Sequence, residues 1–556
     1  VGVNGIGSLQ VDAGGQVLAR NLQVPAASLN GRGTLELAAT SAASITTLNL
    51  VLGNDAGPLC TASIGNGGVL NATDGGNGVV IRTTGVFTVQ EGGLLDASGL
   101  IIIDGGELMV GGEVEAGTLV DVDGGGLLRS VATTAGTPLV DGPVRVQLGA
   151  VLEVLLNDLT VGDATDPIGF EAQNGSLISV GAHTLTIHDS NRAITHVTTI
   201  NGGEIIAPNG FEIVTAGGVN GTLDGTGTIT TKELFYNSGG GVITATTAAG
   251  ITINGKLRNN SGLIDGTKYT FNDNPAIPDS GWTGAGTIAA QVVFNSGTEV
   301  NALANMTMGD GSNFAVTFNA GSELHADTRT VTLLDGNGLA LPSVTDLNGG
   351  HVVCAQQLTV QPGRRLSGRG GSIDSPLVRV FGRLSPGELI GEPAGETGEL
   401  TINGNLELDP GSDTDIEIGG LLGPVQYDAI VVNGVATLGG TLNMSFINGF
   451  NPPLGSTWVI MRYDSKVGDF SNITGTGGLC GLDIAVGDTA IVARVGLVGD
   501  TDNDGDVDLT DLSRLLAQFG CNGNVEFPCP IDFDFNLDTD LTDLSMLLTN
   551  FGLSCP

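Results

Sequence analysis

Leu223-Asp-Gly-Thr-Gly-Thr-Ile229 and Trp282-Thr-Gly-Ala-Gly-Thr-Ile288 are two copies of one phrase. It stands earlier as Val3-Asn-Gly-Ile-Gly-Ser-Leu9 and Leu29-Asn-Gly-Arg-Gly-Thr-Leu35, and later, with one extra residue, as Leu366-Ser-Gly-Arg-Gly-Gly-Ser-Ile373. Each copy joins an apolar anchor, a tight glycine turn and the start of a leucine or β-branched strand. Between the copies lie short alternating strands such as Ser8-Leu-Gln-Val-Asp12, Phe87-Thr-Val-Gln90 and Thr184-Leu-Thr-Ile-His188. Alternation turns every second side chain inward. Glycine supplies the positive φ that the corners need.

Strands this short and frequent, with almost no helical period, exclude a doubly wound α/β fold. Two mainly β architectures fit: a parallel β-helix whose coils stack ~4.8 Å apart, or a string of β-sandwiches. Aromatic residues make up only 4% of the chain, and no Pro/Ser-rich linker precedes Asp500. Both facts favour the β-helix (solenoid). With ~20 residues per coil, residues 1–499 predict about 25 coils and a rod on the order of 110 Å long. The hydrophobic share is 40% and largely aliphatic, enough for a dry core.

Acids outnumber bases 59 to 20, a formal charge of −39. Such a chain repels phosphate backbones, so nucleic acid is excluded as a partner. No stretch reaches the ~18 apolar residues of a transmembrane segment. The sequence starts at Val1 without a charged-then-apolar leader, as expected of a processed chain or a fragment.

The acidity is concentrated. From Asp500 to Pro556 there are 12 acids and one base, Arg514, a net −11. The acids fall at ligand spacing in two runs. The first is Asp500-Thr-Asp502-Asn-Asp504-Gly505-Asp506-Val507-Asp508-Leu-Thr-Asp511. The second is Asp532-Phe-Asp534-Phe-Asn536-Leu537-Asp538-Thr-Asp540-Leu-Thr-Asp543. Oxygen donors at the first, third, fifth, ninth and twelfth places, with a backbone carbonyl at the seventh, can wrap one hard divalent cation. After each run comes an apolar stripe at helical spacing: Leu509, Leu512, Leu515, Leu516 and Phe519, then Leu541, Leu544, Leu547, Leu548 and Phe551. Gly520 and Gly552 fit the helix stops, and the two stripes are expected to pack on each other. The sixth loop place wants glycine. Gly505 satisfies it, whereas Leu537 would be forced to positive φ at about 1 kcal/mol.

Two loop–helix repeats with no helix before either loop resemble a type I dockerin module (a paired F-hand). The resemblance implies calcium as the ion, two per chain with the second site weaker. Its implied ligands are Asp500, Asp502, Asp504, Asp506, Asp508 and Asp511, then Asp532, Asp534, Asn536, Asp538, Asp540 and Asp543. It also implies a cohesin-like partner, although the recognition pairs Leu509-Thr510 and Leu541-Thr542 are half apolar where the family is polar. The body phrase, with stretches such as Gly398-Glu-Leu-Thr-Ile-Asn-Gly-Asn-Leu406 and Tyr427-Asp-Ala-Ile-Val-Val-Asn-Gly434, resembles the repeats of autotransporter-type and adhesin β-helices. The implied organisation is a β-helical region over 1–382, a related C-terminal β repeat region over 383–498 and the dockerin-like module over 499–556.

Four of the six cysteines, Cys480, Cys521, Cys529 and Cys555, lie near the C-terminal end, with no CxxC spacing for zinc. Disulfides in an oxidising, extracellular or cell-surface location are expected. Of three pairings, Cys521–Cys529 with Cys480–Cys555 is favoured. Cys60 and Cys354 read as buried small hydrophobes.

Catalysis needs clustered carboxylates on a rung face. Asp163 with Asp166, Glu204, and Asp189 beside Asn191-Arg192 are the options, and each reads more simply as a turn or rung residue. His183, His188 and His196 have no metal spacing, and Arg364, Arg365 and Arg369 form the one basic spot. The leading reading is therefore a secreted bacterial surface protein, structural or adhesive. Its calcium-dependent tail would join it head to tail to further copies or to a cell-wall partner. A carbohydrate-active β-helix enzyme is the alternative.

Overall fold

The computed structural model describes residues 6–555 apart from short stretches, the longest of which are 25–31, 214–220 and 388–395. Strand accounts for 57% of the chain and helix for 4%, and the strands wind a β-solenoid. The chain divides into two compact units, residues 1–292 and 293–556.

In the first unit three strands make one coil. Glu107–Val110, Glu113–Ala116 and Leu119–Asp123 each pair, parallel and in register, with a strand of the next coil, Leu127–Ser130, Leu139–Asp141 and Val144–Val146. The inward positions therefore stack in rows. Phe87, Leu108, Leu128, Leu152 and Ile178 form one row, and Leu95, Val114, Val140, Val161 and Ile187 another. All are fully buried. Each aliphatic side chain removed from water contributes about 1.5–3 kcal/mol, so rungs stacked in register build a core that is mainly aliphatic.

The copies at 223–229 and 282–288 are bent strands, not the expected turn, whereas the copy at 366–373 turns between two strands as expected. The strand Thr222–Tyr236 runs unbroken through Leu223-Asp-Gly-Thr-Gly-Thr-Ile229. Gly225 has φ +128, and a Cβ there would lie 1.9 Å from the Ile200 carbonyl oxygen of the coil below. Gly404 repeats this in the second unit, its absent Cβ 1.8 Å from the Ser375 carbonyl oxygen. The corner needs glycine because neighbouring coils touch backbone to backbone there. The copies that begin at Val3 and Leu29 start outside the described residues.

The second unit winds the same way, with coils that lengthen along the chain. Asn348 bonds Asp327 across 21 residues, and Asn433 bonds Asn403 across 30. Coils that lengthen in this way reduce the expected 25 to about 16 turns. Ala490–Val495 then breaks the parallel pattern, pairing antiparallel with both Thr457–Val467 and Leu482–Val486. This hairpin covers a strand edge that would otherwise template further pairing. Two helices follow, α1 (Leu509–Gln518) and α2 (Leu541–Asn550).

Candidate metal centre

Each acidic loop runs into its helix through a capping box. Asp508 caps α1, and its carboxylate accepts from Thr510 N–H at 2.5 Å. Asp511 returns the bond, its Oδ2 accepting from Asp508 N–H at 2.8 Å while its Oδ1 accepts from Thr501 N–H at 2.6 Å. The second loop repeats the scheme. Asp540 caps α2, and Asp543 accepts from Asp540 N–H at 2.8 Å and Phe533 N–H at 2.5 Å. The twelfth residue of each loop is thus fully buried and ties the loop's start to its helix.

The two repeats interlock around a pseudo-twofold. Gly520 N–H, after α1, donates to Thr539 O at 2.8 Å in the second loop, and Gly552 N–H, after α2, donates to Val507 O at 2.8 Å in the first. Both glycines end their helices at positive φ, as expected. The expected packing of the two stripes on each other is met in part. Leu515 and Leu547 are buried in a core with Leu497, Val507, Ile531 and Phe533, and Leu512 and Leu544 pack against it. Leu509, Leu516 and Phe519, with Leu541, Leu548 and Phe551, stay exposed. The loops and the 497–498 segment occupy the space that a helix–helix stripe would have filled.

Ligand atoms of Asp500, Asp502 and Asp504 lie within 4.8 Å of one another, as do those of Asp506, Asp508 and Asp511. In the second loop Asp532 and Asp534 gather with Asp543, and so do Asp538 and Asp540. Asn536 Oδ1 accepts from Asp538 N–H at 2.9 Å. The decisive detail is what these carboxylates lack. Oδ1 of Asp500, Asp502, Asp506 and Asp538 is buried with no hydrogen-bond partner. A buried carboxylate oxygen left bare is costly, and a cation supplies what the protein withholds. These clusters can therefore hold a metal ion.

Electrostatics agree. Burial, then the Asp504 charge, holds Asp502 and Asp506 above the usual carboxylate range. In the second loop burial pushes Asp532 up to about 6. Backbone donation from Thr510 instead pulls Asp508 down.

The two loops are unequal. Leu537 stands at φ +76 where Gly505 stands at φ +97, so the expected strain is present. Arg514 lies 3.6 Å from Asp502, while Met546 holds the equivalent place after the second loop. Arg494, from the closing hairpin, donates to Asp500 O and, at 3.4 Å, to Asn503 Oδ1. That anchor was invisible in the sequence, because no motif spacing links residue 494 to Asp500, six residues on.

No protein-family model matches this chain, and no curated protein is similar to it.

Cys521 and Cys529 form the expected disulfide, with Cα atoms 5.9 Å apart. Cys555 is disulfide-bonded too, and its expected partner Cys480 lies outside the described residues. Cys60 and Cys354 are buried thiols.

The other site residues serve the solenoid. Asp189 is buried, and its carboxylate accepts from Phe170 N–H at 2.9 Å. Glu204 accepts from Thr230 Oγ1 at 2.5 Å in a polar ladder that continues through Asn254 to Asn272. Asp163 caps its own turn by accepting from Thr165 N–H at 2.7 Å. His183 lies 3.7 Å from Asp158, and His188 sits half-buried on the strand Thr184–Asp189. Asp166, Asn191, Arg192 and His196 fall outside the described residues. Arg364 donates to Phe318 O at 3.2 Å and to Leu341 O, and Arg369 pairs with Glu396 at 2.5 Å. The basic spot is thus largely spent inside the fold.

Sequence reading missed one row. Asp96, Glu115 and Asp141 stack in register on the outer face of successive coils. Burial, then Glu113, Asp96 and Asp141, raises the Glu115 carboxyl. Alternation marks each residue as outward, but only the coil register puts the three together.

Proposed function

We propose that this is a secreted bacterial surface protein, structural or adhesive, whose solenoid body is attached through a calcium-dependent docking module at its C-terminal end. The module would be dockerin-like, as the loop–helix duplication suggests. The observation that carries the reading is the set of bare buried carboxylate oxygens, three in the first loop and one in the second. Oxygen donors in a loop of this spacing suit calcium over softer metals. Without the ion the crowded carboxylates repel and the helices lose their anchor. Metal binding and folding of the module are therefore coupled.

The docking surface would be the exposed side of α1 and α2. Leu509, Leu516 and Phe519 recur as Leu541, Leu548 and Phe551, so the module offers one apolar pattern twice. A cohesin-like receptor or another copy of the chain would meet that pattern. Self-association would run through the module, beside the solenoid edge that the hairpin covers.

Calorimetric titration of the full chain with calcium tests this. Two binding events are expected, with helical circular dichroism lost in chelator. No heat, and identical spectra in calcium and EDTA, would sink the reading. Sedimentation in both conditions separates the partners, since self-docking gives calcium-dependent oligomers and a separate receptor leaves monomers.

A further inference from the structure

The second unit carries a groove of about 360 Å³ whose lining contains no charged side chain. On a chain of net charge −39 such a stretch stands out. Its size falls in the range of small-ligand sites. Strands Val316–Phe318, Leu339–Ala340 and Leu358–Val360 contribute to it. Thr317, Ala340 and Thr359, the half-buried members of those strands, are all small.

Phe314 borders the groove and is 71% exposed. Its φ is +59, a region that a bulky side chain rarely occupies. Strain of this kind persists where the surrounding structure imposes it, and it clusters at ligand sites. Amides line the rest: Asn337, Gln357 and Gln361. Gln357 Nε2 donates to Thr359 Oγ1 at 3.1 Å, which fixes the amide's direction. Trp282 and Trp458 are buried, so neither can serve as a platform.

An exposed aromatic ring beside neutral donors and acceptors matches one ligand chemistry, an uncharged sugar. Its C–H face stacks on the ring while its hydroxyls meet the amides. We infer that this groove is a binding subsite for a neutral saccharide chain. It binds without cleaving. Asp335, the carboxylate bonded to two lining residues, is buried with its two oxygens taken by Val316 N–H at 3.0 Å and Asn337 N–H at 2.9 Å. No lining residue can act as general acid.

The test is calorimetry of the full chain in calcium with cellohexaose, mannohexaose and chitohexaose, and with hexagalacturonate as the charged control. At least one neutral hexamer should bind. Phe314→Ala should weaken it roughly tenfold with the melting temperature unchanged, because the ring is exposed. Gln357→Ala should weaken the same ligand and provides a second reading should the first variant unfold. The inference is overturned by no heat with any neutral hexamer, by wild-type affinity in both variants, or by hexagalacturonate binding as tightly as the neutral chains.

Discussion

Aspartate plays opposite parts in the two regions of residues 293–556. In the solenoid wall Asp335 and Asp428 are buried with both oxygens used. Asp428 accepts from Gly398 N–H at 2.8 Å and Glu417 N–H at 3.0 Å. Such residues replace ladder bonds that the chain cannot make at a corner. In the tail, Asp500 is equally buried, and one oxygen accepts from Gly505 N–H at 3.0 Å, but the other meets nothing. The same side chain is a closed strut in one place and an open ligand in the other. Burial does not separate the two roles. The count of donors around each oxygen does.

The sharpest break in that comparison is Asp511→Ala. It removes one carboxylate of the proposed ligand set and three charge-assisted bonds, so the module should lose about 3 kcal/mol or more. Calorimetric stoichiometry should fall from two ions to one. Replacing Cys521 and Cys529 together by serine should cost the module about 2–3 kcal/mol by loop entropy and leave the solenoid's melting transition in place. Differential scanning calorimetry resolves the two.

Asp428→Asn tests the strut. Asparagine can accept only one of the two backbone bonds, so chemical denaturation should show a loss of about 2 kcal/mol that calcium does not restore. Burial pushes the Asp428 carboxyl up to about 8 from its usual 3.8. The folded chain therefore holds a proton that the unfolded chain releases, and stability should fall as pH rises from 3.8 towards about 8. The variant should lack that slope. Last, Leu537→Gly relieves the strained turn. It should tighten the second site by about 1 kcal/mol, roughly fivefold, and bring the two loops closer in affinity.

Much was legible because it was periodic. Alternation marked the inward rows, and the glycine phrase marked the corners. The loop spacing brought out every aspartate that the two loops gather, and Leu537 could be named as strained from its place in the second loop. The glycine phrase misled in one respect. A sequence shows that φ must be positive but not whether hydrogen bonding continues through the bend, and at Gly225 it does. The helix stripes misled in another. Periodicity shows that Leu509 and Leu516 share a face with Leu515 but not how much of that face a short helix can cover.

The sequence alone determined a stacked β architecture and two oxygen-lined loops, because local spacing dictates which side chains share a face. Only the tertiary structure decided which oxygens stay bare, which helix face stays open and which arginine anchors the first loop. Those depend on how the loops, helices and hairpin fold onto one another, and no local spacing records that.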